Sequence, residues 1–160
     1  MFYYLVDIEN RGQKWVYDAL MYLHNKPELI SQTSLFIISR KTSSLKPPLL
    51  LNCKRLFATN DLKEAADNLM TITATQIILQ HLRCTDKLFI INGGDKRYRG
   101  ACDELNHLIT TQTVLAHHNN GRKPQKYVYS FEGSFEESVK PLRTDTESDW
   151  ETSLIMLYVS

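Results

Sequence analysis

The sequence predicts an α/β domain with a mostly parallel sheet and helices on both of its faces. Three runs of β-forming apolar residues carry this prediction, at 2–8, 34–39 and 87–92. Each run is continuous rather than alternating, which is typical of a strand buried on both faces. Helical patterns separate the runs, and strands joined through helices form parallel pairs.

Two helices are predicted between these strands. After a break at 10–12, residues 13–24 place apolar side chains on one face, as an amphipathic helix does. A longer helix is predicted over 61–83, with Thr59 or Asn60 as its cap. The residues that continue its helical spacing are Leu62, Ala65, Ala66, Leu69, Ile72 and Gln76.

Local propensity and spacing disagree at 71–75. This stretch is β-branched and alternating, which favours a strand. A helix is predicted there instead, because no turn residue interrupts the helical spacing. Another helix is predicted over 98–109, and shorter strands within 49–58, over 111–117 and over 127–131.

The remaining segments are predicted to be loops or edges. Residues 40–48 form a basic loop with two prolines, and 117–126 a polar and basic surface loop. Residues 132–150 are expected to be polar and partly mobile. A last apolar run at 154–159 is expected to be an edge strand.

Length and composition restrict the class of protein. With 160 residues, 42% hydrophobic and 23% charged, the chain resembles one folded domain. A net charge of +1 excludes a generally basic nucleic-acid coat protein. No apolar run approaches the roughly 20 residues of a membrane span, and no secretory signal pattern is seen. Three cysteines without a Cys-x-x-Cys pair predict free thiols and a cytoplasmic location.

Acids follow two of the predicted buried strands. Asp7 ends the first strand, and Asp95 follows the strand 87–92 after two glycines. In an open parallel sheet, ligands bind beyond the carboxyl ends of the strands, at the point where the chain reverses its direction of build-up. If these two strands are neighbours there, Asp7 and Asp95 face one crevice. Asp67 lies in the long helix that leads into the strand 87–92, among apolar neighbours.

These acids indicate metal-dependent phosphoryl chemistry. Clustered carboxylates raise each other's pKa unless a cation lies between them. Their oxygens suit Mg²⁺ or Mn²⁺, and such ions polarise a phosphodiester and activate water. Each acid also has a structural alternative, because Asp7 and Asp95 suit turns or helix caps and Asp67 suits a solvated helix position.

Three segments resemble motifs of the NYN and PIN-like nuclease superfamily. Leu5–Asn10 (Leu-Val-Asp-Ile-Glu-Asn) resembles its opening D-x-E-N motif. Lys63–Leu69 is similar to its central helix, in which an inward acid follows small residues. Phe89–Tyr98 is similar to its strand followed by Ser/Gly-x-Asp-x-x-aromatic. Order and spacing agree over roughly residues 2–118.

The resemblance implies an α/β, Rossmann-like, PIN-type three-layer fold with a mostly parallel central sheet. It implies a catalytic core over 1–118. Residues 119–160 are not covered by the resemblance and are expected to be a polar, acidic C-terminal extension that packs on the same domain.

The resemblance also implies a ribonuclease site that depends on Mg²⁺ or Mn²⁺. By match to the motifs, Asp7, Asp67 and Asp95 would be metal-binding catalytic acids, and Asn10 would orient the first acid or the scissile phosphate. The chain departs from many members two residues after Asp95, where it has Arg97 instead of a second acid. It also has two glycines where a serine often precedes the acid.

Side chains near the strand ends are candidates for holding RNA. The candidate substrate-binding residues are Arg11, Arg40, Lys41, Lys96, Arg97, Tyr98 and Arg99. Cations bind phosphates without sequence choice, and an aromatic ring at position 98 can stack a base of single-stranded RNA. The alternatives are solvated surface charges and, for the aromatic ring, core packing.

The sequence therefore predicts a metal-dependent endoribonuclease acting on RNA, expected to be single-stranded. The alternative is a PIN-like module that does not cut and serves as an RNA-binding or protein-interaction domain, which Arg97 favours and the three acids oppose. A phospho-acceptor receiver domain is disfavoured, because its acids and lysine are not found at matching spacing. The edge at 154–159 would allow pairing with a second copy or another protein.

Overall fold

The fold is known from a computed structural model. It describes residues 1–41, 53–83, 85–92, 97–112 and 126–140, without the side chains of 11–13, 97, 111 and 112. The strands are β1 (Phe2–Asp7), β2 (Thr33–Ser39), β3 (Cys53–Phe57), β4 (Lys87–Ile91) and β5 (Val128–Ser130). The helices are α1 (Ile8–Asn25), α2 (Ala65–Gln80) and α3 (Arg97–Gln112), and a 3-10 helix covers Pro27–Gln32.

The described strands form one sheet in the order β3-β2-β1-β4-β5, and every pair in it is parallel. This confirms the predicted α/β class with helices on both faces. The chain first builds outward from β1 through β2 to β3, and α2 then carries it back to β4 on the other side of β1. The direction of build-up therefore reverses between β1 and β4, where Val6 pairs with Ile91.

The sheet is covered on both faces, which explains its continuous apolar strands. Along β1, Leu5 packs into the cluster formed with α2 and α3. Tyr4 and Val6 point to the opposite face and pack against α1. Because successive strand residues face opposite sides, each central strand must be apolar at nearly every position. In the part of the chain that the structure describes, no helix is long and apolar enough to cross a bilayer.

The first helix begins earlier than the sequence indicates. A break was expected at 10–12, but α1 starts at Ile8, directly after the last residue of β1. The side chain of Asp7 caps the helix by accepting a hydrogen bond from the backbone N–H of Glu9. A good N-cap lets a helix start without a loop, so the prediction of a turn here was wrong.

The long helix is confirmed, including 71–75, but it starts later than predicted. The residues that it buries also differ from the apolar stripe whose spacing predicted it. It begins at Ala65 rather than 61, and the side chain of Asn60 accepts from the backbone N–H of Leu62 before the helix starts. Ile72 is 55% exposed and Leu62 67% exposed. The buried residues are Ala65, Ala66, Met70, Thr73, Ala74, Ile77 and Ile78.

The segment after β5 belongs partly to the core. Residues 135–140 are helical, and the backbone N–H groups of Ser134 and Glu137 are each hydrogen-bonded to the other's side chain, as in a capping box. Phe135 and Val139 are buried against α1. The expectation of a polar and partly mobile segment was therefore wrong for 135–140.

Other predicted elements fall partly or wholly outside the described residues. Thr111 and Gln112 end α3 rather than starting a strand. The rest of that predicted strand and the edge strand at 154–159 lie outside the described residues, as do most of the basic loop 40–48 and the loop 117–126.

The side chain of Asn106 on α3 holds the short strand β5 in place. Its Oδ1 accepts from the backbone N–H groups of Tyr127 and Val128, and its Nδ2 donates to the carbonyl of Val128. Residues beyond 118 thus supply a strand and a helical turn to the same core.

Replacing Phe135 by alanine tests whether this late segment supports the fold. Its ring is buried and lies within 5.0–6.4 Å, centroid to centroid, of the rings of Tyr4, Trp15 and Tyr22. We expect Phe135→Ala to lower the free energy of unfolding by about 3–5 kcal/mol, measured by urea denaturation. Phe57→Ala, at a half-exposed ring of β3, is the control and should cost less than about 1 kcal/mol. Equal effects would contradict the placement of Phe135.

Candidate active site

Asp7 lies where β1 ends and α1 begins, at the carboxyl edge of the sheet beside β4. Only 3% of this residue is exposed. Its Oδ1 accepts from the backbone N–H of Glu9 at 3.2 Å, and its Oδ2 accepts from the side chain of Asn10 at 2.8 Å. Asp7 is therefore a helix cap, and its carboxylate is also held in a fixed orientation by two donors.

Asp67 is brought to the same edge by the first turn of α2. In a parallel α/β sheet, the helix that follows a strand starts at the carboxyl edge, so the first residues of α2 lie near the end of β1. The side chain of Asp67 is half-buried, and its Oδ1 accepts from the hydroxyl of Tyr98 at 2.5 Å. A contact between α2 and α3 thus fixes this second carboxylate.

Tyr98 occupies a position different from the one that RNA stacking requires. Its ring is 4% exposed and belongs to the core cluster between the sheet, α2 and α3. A buried ring offers no open face to a base, so the proposal that Tyr98 stacks a base was wrong and core packing is correct. The structure assigns it a contact that the sequence did not show, the hydrogen bond to Asp67.

Burial dominates the electrostatics of Asp7, and the charge of Asp67 contributes to them. The pKa of Asp7 is raised to about 6, mainly because burial disfavours its charged form. The charges of Asp67 and Glu9 raise it further, and the hydrogen bonds from Glu9 and Asn10 act in the opposite direction. A positive charge near Asp7 would favour its ionised form.

The described residues supply two of the three carboxylates predicted to bind a hard cation such as Mg²⁺ or Mn²⁺. Asp7 and Asp67 supply carboxylate oxygens, which Mg²⁺ and Mn²⁺ prefer. Among the described residues, no group of three or more His, Cys, Asp or Glu forms a metal site. The third predicted acid, Asp95, lies outside the described residues. The structure thus brings two of the three predicted acids together.

A groove opens beside Asp67 between α2 and α3. Its volume is about 210 Å³, and its lining residues are Glu64, Asp67, Asn68, Thr71, Tyr98 and Ala101. The groove gives the carboxylate of Asp67 an open approach from solvent, which the buried Asp7 lacks.

One candidate cation lies at the carboxyl edge of the sheet, paired with Glu9. Arg40 follows β2, is exposed, and its Nε lies 2.9 Å from Oε2 of Glu9. Glu9 is in the first turn of α1, two residues after Asp7, so this ion pair places a guanidinium at the edge of the sheet that carries the acids. The sequence analysis named Arg40 as a candidate for binding RNA but did not indicate its pairing with Glu9. The pairing depends on the register of β1 and β2, which aligns Asp7 with Ile38.

The other candidate cations have no contact with Asp7 or Asp67 among the interactions of the described residues, or their side chains lie outside the described residues. Lys41 follows Arg40 and is exposed. Arg99, in the first turn of α3, lies 3.8 Å from Glu132, and both side chains are exposed. The side chains of Arg11 and Arg97, and all of Lys96, lie outside the described residues.

Comparisons with protein-family models, with curated proteins and with solved structures gave no match. The site must therefore be interpreted from its own geometry.

Replacing Asp7 by asparagine should stabilise the protein at neutral pH. The pKa of Asp7 is about 6 in the folded chain, against an ordinary value of 3.8, so the folded chain binds this proton more tightly than the unfolded chain. The free energy of unfolding should then fall as pH rises from about 4 to about 6, by up to roughly 3 kcal/mol. Asparagine is as good an N-cap and has no charge to bury, so Asp7→Asn should remove this fall.

The measurement is denaturant unfolding at several pH values between 4 and 8, with EDTA present. Asp18→Asn, at an exposed position of α1, makes the same chemical change without burial and should leave the pH profile of the wild type intact. If Asp7→Asn also keeps the wild-type profile, the buried charge of Asp7 does not cause the fall in the free energy of unfolding with pH.

Proposed function

We propose that this domain is a metal-dependent endoribonuclease that hydrolyses phosphodiester bonds of single-stranded RNA. The observation that carries the proposal is the meeting of Asp7 and Asp67 at the carboxyl edge of the sheet, where build-up reverses between β1 and β4. This is where open α/β sheets bind ligands. Two interacting carboxylates there suit Mg²⁺ or Mn²⁺ rather than a neutral ligand.

Hydrogen bonds hold both acids in fixed orientations. Glu9 and Asn10 donate to the carboxylate of Asp7, and the hydroxyl of Tyr98 donates to that of Asp67. A bound Mg²⁺ or Mn²⁺ would supply the Lewis acid that polarises the phosphodiester and activates a water molecule. On this proposal Asp95 is the third acid of the site.

Arg40 supports a polyanionic substrate. Its ion pair with Glu9 is solvent-exposed, and such pairs contribute only about 0–1 kcal/mol. A phosphate of RNA can therefore replace Glu9 as the partner of Arg40 at little cost. Such contacts to the phosphate backbone give affinity and no sequence preference.

The free thiols support action in a reducing compartment, for which we propose the cytoplasm. Of the described residues, Cys53 and Cys102 are both free cysteines. The thiol of Cys102 is buried, and burial raises its pKa to about 11, so it is a poor nucleophile. Thiol chemistry is thus not a competing function for this residue.

A second candidate is a module of the same fold that binds RNA or a protein without cutting. The capping role of Asp7 favours it, because an aspartate at this position is useful to the fold even where no metal binds. The two candidates differ in whether the protein cuts the RNA that it binds and in whether that cutting requires the acids.

Cleavage of end-labelled single-stranded RNA separates the candidates. The wild type should cut with Mn²⁺ or Mg²⁺ and stop with EDTA. Asp7→Asn, Asp67→Asn and Asp95→Asn should each lower the rate by a factor of 100 or more, and Asp18→Asn should retain it. RNA that is bound in a gel shift but never cut would support the second candidate. Metal-independent cutting that survives all three substitutions would refute the proposed site.

Tyr98→Phe should slow cleavage while the fold is retained. The substitution keeps the buried ring and removes only the hydroxyl that holds Asp67. Residues that orient a metal ligand typically contribute 10–100-fold to affinity or activity. We expect a rate decrease of that size together with a higher Mn²⁺ concentration for half-maximal rate. Tyr127→Phe, at another buried tyrosine of the same cluster, is the matched control, and an equal decrease there would indicate a general packing effect.

A further inference from the structure

The outward side of α2 lacks the charges that a solvent-facing helix normally carries. No Asp, Glu, Lys or Arg occurs from 68 to 80, which is nearly the whole of α2. Surface helices place charged and polar residues on the face away from the core. By contrast, the exposed apolar residues Tyr17 and Met21 of α1 are accompanied by the exposed Lys14 and Asp18.

This surface is also more apolar than its residue types indicate, because its threonine hydroxyls are hydrogen-bonded within the helix. Ile72 is 55% exposed and Leu79 63% exposed. The hydroxyls of Thr71 and Thr75 donate to the carbonyls four residues earlier, at 3.1 and 2.9 Å. Hydroxyls bonded within the helix have less need of water. We call these four residues, together with Gln76, the outer face of α2.

The outer face has the spacing of a helix-pairing seam. Ile72, Gln76 and Leu79 follow one another at intervals of four and three residues and are all exposed. This alternation keeps side chains in line along a helix that packs against another helix. Ile72 and Gln76 belong to the stripe that predicted α2, and among the described residues no element covers them.

The charges at the two ends of α2 are complementary. The residues around its start are Asp61, Lys63, Glu64 and Asp67, and those just after its end are His81 and Arg83. One end thus carries net negative charge and the other positive charge. Two α2 helices packed antiparallel would place unlike ends side by side, whereas a parallel pair would place like ends together.

We propose that the outer face of α2 is the contact surface of a homodimer, in which α2 of one copy packs antiparallel to α2 of another. A two-fold contact uses the same patch on both chains, so the patch must be complementary to itself. An apolar seam with opposite charges at its ends meets this requirement. An RNA partner is not favoured, because the seam offers no cation for phosphates.

The expected dimer is weak. A helix of 16 residues is about 24 Å long, and one helix pair buries less than the roughly 800 Å² per partner of a standard interface. We therefore expect dissociation in the micromolar range. The proposal does not depend on nuclease activity, because Ile72 and Leu79 are not among the residues that line the groove beside Asp67.

Sedimentation velocity of the wild type between 1 and 100 μM is the first test. We expect a concentration-dependent shift from monomer to dimer. Ile72→Lys and Leu79→Lys should each weaken dimerisation at least tenfold, with unchanged thermal stability because both side chains are exposed. Met21→Lys, at an equally exposed apolar residue on the opposite layer, should have no effect. A wild type that is monomeric at 100 μM would overturn the proposal.

A charge exchange tests the antiparallel arrangement. Arg83→Glu alone should weaken the dimer several-fold, because it places like charges at both ends of the pair. Adding Glu64→Arg to the same chain exchanges the two ends and should restore the dimer. Restoration supports antiparallel pairing. A double variant that is at least as weak as Arg83→Glu would overturn it, even if the wild type dimerises.

Discussion

The architecture depends on the direct passage from β1 into α1 at Asp7. A helix leaves its first backbone N–H groups without partners, and here no loop is available to supply acceptors. The carboxylate of Asp7 supplies one, and in doing so it becomes buried at the centre of the sheet's carboxyl edge. Because β1 is the central strand of the order β3-β2-β1-β4-β5, the start of α2 and the end of β4 must lie around it. The position of Asp7 is therefore fixed by the β1–α1 junction, and the other elements of the candidate site lie around it.

The strands and helix positions could be predicted from the sequence because burial on both faces leaves a plain signal. The runs at 2–8, 34–39 and 87–92 are apolar at nearly every position, as the two core clusters require. The facing of α2 could not be predicted, because this helix is apolar on more than one side and periodicity then defines no single buried face. The helix at 135–140 was missed although Ser134 and Glu137 have the spacing of a capping box. That signal was present and was outweighed by the polar composition around it.

For the site, the acids could be found from sequence and their partners could not. Asp7 stands at a strand end and Asp67 follows small residues, both of which are local patterns. The bond between Tyr98 and Asp67 joins residues 31 positions apart on two helices, and the pair of Arg40 and Glu9 is also separated by 31. Such contacts follow from strand order and helix placement, which local patterns do not contain. This is why Tyr98 was assigned to the substrate rather than to an acid.

Capping alone does not explain why position 7 is an aspartate. Asparagine would accept the same hydrogen bond from Glu9 without a charge to desolvate. The aspartate is kept where burial raises its pKa to about 6 and where the charge of Asp67 adds to the effect. Keeping Asp7 charged at neutral pH therefore costs the folded chain stability, mainly through burial, and its capping role does not require that cost. On the proposed function a cation bound beside Asp7 would offset the cost, because an opposite charge favours the ionised form of a buried carboxylate.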